Sequence, residues 1–466
     1  MKRILSMLMA LSLSVSLSLP AFADETAIQD TAPTTISNAY LVMNAESGQI
    51  LVQKNMDEKN YPASITKVLT AAIALEVGDP KDKYEITADD VFSYTFPGTT
   101  YVALTHDEIV TVEQLLYGTL MASANDAANC LGSYVATKQN RTTLNEKGEE
   151  SYVSGFVEIM NEKLEELGCE NTQFTNAHGL HNENHYTTAA DMAKILRYAL
   201  SVDGFRDYFG AISYTMQPTN MQPQQRPWGT QSGLFAESNK YYYEGAKGAK
   251  LGYTDEAGHT MVSIAERDGI ELICVVMDCK QGNWADHRDT ISLYDYCFNN
   301  FDTVTFTVDD LKQKSVPIYK ESVPYEKAQI SVAEDYELQL HKLLKKSDVR
   351  FASNVPGRYL YGDRMSGTLS FALTKSAMKE VGDAMYTELG SVPLKVTVVP
   401  LAEEKPSMMA QIGSYLLSVL KVVAVLFVVL VVLILLLRAY NIRRYKKIRE
   451  KRRQRQLQRQ QEMNKE

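Results

Sequence analysis

From Val422 to Leu437, sixteen consecutive residues carry no polar side chain. A run this apolar is buried on every side in a large core, or it crosses a membrane. At 1.5 Å rise per residue it covers about 24 Å, short of the ~30 Å hydrocarbon core of a bilayer. Extending it upstream past Ser418, to a transmembrane helix over 415–437, supplies the missing length. Lys421 then lies near one end, where its long stem can carry the amine to the interface. Directly afterwards, Arg438–Glu466 holds twelve Lys and Arg against three Glu, a local charge of +9. The whole chain is −9, so everything before the tail is −18. Clustered basic residues after a span stay on the cytoplasmic side. The expectation is a cytoplasmic tail, 438–466, with the body outside. A basic run also suits nucleic acid or a calmodulin-type partner, but the acidic body does not suit nucleic acid.

The other end agrees with export. Met1-Lys2-Arg3 precedes an apolar run, Ile4 to Leu19, and then Pro20-Ala21-Phe22-Ala23. Small residues in that spacing mark a signal peptide, 1–23, cleaved before Asp24; an uncleaved anchor is the competing reading. Residues 24–36 are a polar linker. The five cysteines are scattered and odd in number, which argues against a disulfide scaffold and against a zinc ribbon.

Between these ends the pattern is mixed. Tyr40–Ala45 and Ile50–Lys54 read as strands around a Glu46–Gln49 turn. An apolar helix begins near Ser64 and stops before Gly78-Asp79-Pro80. Thr111 and Gln114 form a capping box. Residues 138–151 look like an inserted loop. Phe156, Ile159, Met160, Leu164 and Leu167 share one helix face. A further helix spans about Thr188–Leu200. His259–Glu266 and Glu271–Asp278 are strands joined by a hairpin at Arg267-Asp268-Gly269, and Trp284–Phe301 is a closing helix. Beyond it, short alternating runs (303–308, 316–319, 327–332, 368–373, 394–399) indicate a small β-rich domain, 303–404, after a body domain of 37–302.

Three short stretches carry chemistry. In Pro62-Ala63-Ser64-Ile65-Thr66-Lys67, serine and lysine at i and i+3 share a helix face. Serine needs a base beside it to act as a nucleophile, and lysine is one only when burial or a second cation lowers its pKa. Alone, the tetrapeptide reads more simply as a helix-start serine with a solvated lysine. In Met121-Ala122-Ser123-Ala124-Asn125, a loop-like setting, Ser123 can pass a proton to a leaving amine and Asn125 can hydrogen-bond a substrate amide; a turn or cap is the plain alternative. In Gly248-Ala249-Lys250-Leu251-Gly252, the small residues suit an edge strand beside which an extended peptide can lie. There Lys250 can bind a substrate carboxylate and act as the second cation on Lys67, and Gly252 lets a substrate approach the backbone. His178, His181 and His185 do not have metal-site spacing, so structural or hydrogen-bonding work is expected of them. Tyr241-Tyr242-Tyr243 is either a groove lining or sheet packing.

Ser64-x-x-Lys67, Ser123-x-Asn125 and Lys250-x-Gly252, in that order, resemble the low-molecular-mass penicillin-binding proteins that are serine-type D-alanyl-D-alanine carboxypeptidases. The likeness extends to Asn44–Gly48, Val112–Leu116, Gly179-Leu180, His185–Ala193 and Gly252–Gly258, and covers roughly residues 37–302. It implies an α+β fold, the penicillin-recognising serine D,D-peptidase fold: an antiparallel sheet flanked by helical clusters, followed by a small β-rich domain and a C-terminal transmembrane helix. It also implies roles. Ser64 is the nucleophile and Lys67 its base; Ser123 and Asn125 assist; Lys250 holds the terminal carboxylate; the N–H groups of Ser64 and Tyr253 form the oxyanion hole. The implied partners are the peptidoglycan stem peptide as substrate, β-lactams as acylating inhibitors and the membrane, with no nucleic acid, no metal and no cofactor.

The sequence departs from the family at Leu251, where a threonine is usual, at Ala124, where glycine is frequent, and at His181, where an acid is frequent. Losing one hydrogen bond to a charged group at Leu251 costs about 1.5–3 kcal/mol. Two rivals follow. One is a β-lactamase of the same fold, disfavoured by the extra domain, the terminal span and the lack of a clear Glu-x-x-Leu-Asn loop. The other is a weakly active or inactive homologue that binds peptidoglycan or penicillin, which only Leu251 favours.

Overall fold

The computed structural model describes residues 31–91, 99–145, 148–282, 284–311, 314–400 and 408–463; the expected signal segment lies outside them. The chain divides into two compact units, one taking residues up to 316 with 328–397, the other 317–327 with 398 onward.

The centre of the first unit is a five-stranded sheet of β1 (Ala39–Asn44), β2 (Ile50–Lys54), β3 (Ala246–Thr254), β4 (Gly258–Arg267) and β5 (Ile270–Cys279) in the order β2-β1-β5-β4-β3. Every pairing is antiparallel. The β4–β5 turn places Asp268 and Gly269 at φ +54° and +80°, the left-handed pair that a two-residue hairpin requires. Strand residues alternate faces, and β5 serves two cores. Ile273, Val275 and Met277 join one apolar cluster, while Leu272, Cys274 and Val276 join another.

The first cluster is covered by helices α1 (Lys67–Val77), α2 (Val112–Leu120), α3 (Asn125–Lys138), α4 (Tyr152–Glu166) and α5 (Ala189–Ser201). From Lys67 to Ala74 every residue of α1 is buried, because this helix runs through the middle of the layer. The Thr111–Gln114 capping box is present at α2 with both of its hydrogen bonds. The 138–151 stretch is not wholly loop: Thr143–Leu144 pairs with Glu150–Ser151. The second cluster lies under α6 (Ala285–Asn300), through Leu293, Tyr294 and Cys297. Tyr243 stacks on Tyr294 and Tyr241 on Trp284, so that tyrosine run is largely packing.

The second cluster continues into the β-rich segment, through Phe306, Leu340 and Phe371. Here β6 (Phe301–Phe306) pairs with β7 (Tyr336–His341), and β8 (Val349–Ser353), β9 (Thr368–Leu373) and β10 (Glu388–Pro393) form a sheet, with helix α7 (Lys375–Val381) between β9 and β10. This segment meets the open edge of β2: Val52 bridges Met385, and Gln53 N–H donates to Ala384 O at 2.8 Å. The Gln49 side chain bonds the backbone of Gln339 twice, at 2.7 and 2.8 Å. Unpaired strand edges invite aggregation, and this edge is covered by the chain's own backbone.

In the second unit, α8 runs unbroken from Met408 to Met463. Its stretch from Ile412 is long and apolar enough to cross a membrane. The basic tail expected from the sequence is thus helical as far as Met463.

Candidate active site

The Ser64–Lys67 motif sits on a tight turn. Ala63–Thr66 form a 3₁₀ turn that leads into α1 at Lys67. In a 3₁₀ turn residues i and i+3 eclipse, which aligns Ser64 and Lys67 more directly than an α-helix does. Ala63 has φ +50°, unusual for a residue with a Cβ. The turn is pinned from two sides. Thr260 Oγ1, on β4, donates to Pro62 O at 2.8 Å, and Thr66 Oγ1 donates to Ala63 O at 2.9 Å.

Lys67 is fully buried, and its Nζ donates to Asn125 Oδ1 (2.7 Å), His178 O (2.7 Å) and Ser64 Oγ (2.8 Å). A tetrahedral nitrogen with two positions fixed on carbonyl-type oxygens points its remaining position at the serine. When the amine is neutral, that position is a lone pair facing the serine O–H. Burial lowers the Lys67 pKa well below the ordinary lysine value, the charge of Lys250 lowers it further, and only Asp126 opposes them. The arrangement can therefore hold a neutral amine against a hydroxyl, the condition for general-base activation of serine.

Ser123 lies in the expected loop, in the left-handed region at φ +59°, whereas Asn125, expected in the same loop, opens α3. This bend turns both side chains toward Lys67 and Lys250. Asp126 follows in the first turn of α3, accepting from the N–H groups of Val102 (3.2 Å) and Leu104 (3.0 Å). With Asn125 N–H on Thr100 O at 2.8 Å, residues 100–104 are tied over the motif.

Lys250 comes from β3, the open edge of the sheet. Its Nζ donates to Ser123 Oγ and to Leu251 O, both at 2.8 Å, and burial alone lowers its pKa to about 7. The space for a side chain at Gly252 is taken by the protein itself: a Cβ there would lie 2.8 Å from the Ser64 nitrogen and 2.4 Å from Thr260 Oγ1. Glycine lets β3 lie directly against the Ser64 turn, rather than opening room for a ligand on that side. Tyr253, the next residue, is exposed, with its ring on His259 and its hydroxyl donating to Asp255. Leu251 alternates to the face opposite Lys250 and packs, half-buried, against the second apolar cluster.

The loop 174–187 closes the site from the other side. His178 contributes its backbone carbonyl to Lys67, a role for which no residue type gives a signal. His185 is buried between Thr66 and Thr175. His181 meets the edge of the Tyr61 ring, with Glu256 3.9 Å away. Among the described residues no group of three or more His, Cys, Asp and Glu is placed to hold a metal ion.

The same overall fold occurs in penicillin binding protein 5 of Haemophilus influenzae, which superposes with a TM-score of 0.59 at 23% identity, over 78% of this chain and 98% of that one. The Streptomyces K15 DD-transpeptidase superposes with a TM-score of 0.51 at 27% identity, over 57% of this chain and 98% of its own. Fold and serine–lysine site thus define a penicillin-binding-protein-like serine enzyme. Residues 26–281 match the model of the D-alanyl-D-alanine carboxypeptidase family, and the chain belongs to that family. It is 26% identical over 309 residues to D-alanyl-D-alanine carboxypeptidase DacF of Bacillus subtilis, spanning 65% of this chain and 72% of that one. It is 31% identical over 295 residues to DacC of Escherichia coli, spanning 61% and 66%.

Proposed function

We propose that the chain is a membrane-anchored serine D,D-carboxypeptidase that removes the terminal D-alanine from peptidoglycan stem pentapeptides. Family membership supports the reaction class. The observation that carries the residue assignment is the Lys67 amine, buried and held by two neutral oxygens with its remaining position on Ser64 Oγ.

In this reading the peptide extends along the free edge of β3 with its carboxylate at the Lys250 end. Lys67 takes the Ser64 proton, and Oγ adds to the carbonyl of the penultimate D-alanine. The oxyanion is held by the N–H groups of Ser64 and Tyr253. The proton that Lys67 took passes through Ser123 to the departing amine, the C–N bond breaks, D-alanine leaves, and the acyl group remains as an ester on Ser64. Water then adds to that ester, giving up a proton to Lys67, which hands it to Ser64 Oγ as the ester bond breaks, freeing the shortened peptide and Ser64. A β-lactam undergoes the first half, but its amine stays tethered in the acyl group.

The proposed layout keeps the signal peptide at 1–23, the catalytic domain at 37–302, the β-rich domain at 303–404, a single span at 415–437 and a cytoplasmic tail at 438–466. The catalytic domain then lies outside the cytoplasm, where peptidoglycan is. Leu251 is accommodated by packing, half-buried, on the sheet face opposite Lys250, and it leaves Lys250 and Ser123 in contact.

The test is D-alanine release from a D-Ala-D-Ala-terminated pentapeptide by the full chain in detergent, with labelled-penicillin acylation run in parallel. Release and labelling that both vanish in Ser64→Ala are the expected result. Release that persists in Ser64→Ala would overturn the assignment.

A further inference from the structure

A directed chain of hydrogen bonds ends on the residue just before Ser64. Thr175 N–H can only donate, and it lies 3.0 Å from His185 Nδ1. Nδ1 is therefore the acceptor, and a neutral ring carries its proton on Nε2. Nε2 is 2.9 Å from Thr66 Oγ1. Thr66 thus accepts from His185 and spends its own proton on Ala63 O, at 2.9 Å. His185 is 1% exposed, and its ring lies flat on Phe174, centroids 4.8 Å apart. Burial first, then the charges of His181 and Lys67, push its pKa down to about 3, so the neutral tautomer that this chain needs is the one present at neutral pH.

Ala63 needs such support. Its φ of +50° brings Cβ close to its own backbone and is disfavoured for any residue but glycine. Its carbonyl presses on Gly179, where a Cβ would fall 1.8 Å away. Strained backbone persists only where its surroundings over-determine it. The next residue is Ser64, and the loop that carries His185 also carries the His178 carbonyl on Lys67.

We propose that His185 is a positioning residue for Ser64: acting through Thr66, it holds Ala63 in the left-handed conformation and so fixes where Ser64 Oγ and N–H stand relative to the Lys67 amine. The inference rests on the proposed acylation of Ser64. Both ring nitrogens of His185 are taken by Thr175 and Thr66, so it acts through the turn and not on substrate.

The test uses the full chain in detergent and four variants: His185→Phe, which keeps a flat ring on Phe174; His185→Gln, which restores a donor to Thr66; Thr66→Val, which removes the hydroxyl at nearly constant volume; and the double variant Thr66→Val/His185→Phe. The rate of acylation by labelled penicillin and kcat for D-alanine release are expected to fall about ten- to hundredfold in His185→Phe and in Thr66→Val. KM should hold within about threefold, because the Lys250 and Ser123 end is untouched. His185→Gln should recover most of the rate, and the double variant should lose no more than the worse single one, as groups acting in series do. Thr66→Val guards against a His185→Phe protein that fails to fold. Folded single variants with wild-type acylation overturn the proposal. So does a double loss equal to the product of the single ones, or a His185→Gln as slow as His185→Phe. If the wild-type chain neither releases D-alanine nor takes the penicillin label, the functional reading itself has failed, which is a different outcome.

Discussion

Gly252→Ala tests the placement of the proposed nucleophile by sterics alone, without removing a polar group. A Cβ at Gly252 would stand 2.4 Å from Thr260 Oγ1, 2.8 Å from the Ser64 nitrogen and 3.0 Å from Ala63 Cβ. Carbon contacts relax near 3.5 Å or slightly beyond, so the methyl is short of room by about 0.5–1 Å against all three. None of these neighbours can swing aside. Thr260 Oγ1 is bonded to Pro62 O, and Ala63 and Ser64 are the turn itself. Strand β3 and the turn must therefore separate by more than half an ångström, and Lys250 and Tyr253 move with the strand. A misplacement near 1 Å at a reacting centre costs about a hundredfold in rate, whereas overpacking costs only about 1–3 kcal/mol of stability. The expected variant is folded, with acylation by labelled penicillin slowed ten- to hundredfold and D-alanine release slowed in step. The assay is the time course of labelling at fixed penicillin, beside a thermal melt. A folded Gly252→Ala that acylates within twofold of wild type would refute the claim that β3 bears directly on the turn.

Two other outcomes follow from the buried groups. Lys250, with its pKa lowered to about 7 by burial, is charged below that pH and loses its charge as pH rises through it. In the reading given above, kcat/KM for a carboxylate substrate should then fall on the alkaline side in the free enzyme. Lys250→Arg, whose guanidinium stays charged, should lower the rate but abolish that limb; an alkaline limb unchanged in Lys250→Arg assigns it elsewhere. Gln49→Ala leaves the Gln339 N–H and carbonyl without their side-chain partners, and about 2–6 kcal/mol of stability should go with them at roughly 1–3 kcal/mol per orphaned buried group. A thermal melt reads this directly, and an unshifted midpoint would show that the β2 edge is held by other contacts.

The features legible in the sequence are those written in residue type at short range. The capping box at Thr111, the Asp268-Gly269 turn, the apolar stripe of α4 and the alternation of β5 each depend on neighbours within a few positions. Ser64 and Lys67 belong with them, being one turn apart. What the sequence hides is long-range and carried by backbone. The carbonyl of His178 on Lys67 needs no particular side chain. The cover on the β2 edge comes from Ala384 and Met385, neither of which signals an edge partner. The strands β7, β8 and β10 escaped because their short runs mix apolar residues with Glu, Gln, Arg, Gly and Pro, and they are fixed by pairing rather than by pattern. The loop at Ser123 was legible, but the left-handed φ that aims its side chain was not, because it is rare for a residue with a side chain and nothing in Ala122-Ser123-Ala124 announces it.

The two lysines show why a motif list does not settle the chemistry. Both are buried, and burial lowers both pKa values. They are distinguished by what else they meet. Lys67 faces a second cation, and its fixed acceptors, Asn125 Oδ1 and His178 O, are neutral. Neutral oxygens can take its N–H groups without favouring the ammonium as a carboxylate would. The acid that does raise its pKa, Asp126, spends its own oxygens on the N–H groups of Val102, Leu104 and Ala127. Lys250 is lowered by burial alone, and its bonds go to Ser123 Oγ and Leu251 O. An incoming carboxylate would supply the negative charge that it lacks and raise its pKa again. Substrate binding at the Lys250 end would then place a firm positive charge near Lys67 at the moment when a neutral amine is needed there. The same amide, loop carbonyl and edge strand that orient the two lysines also give them different electrostatic surroundings.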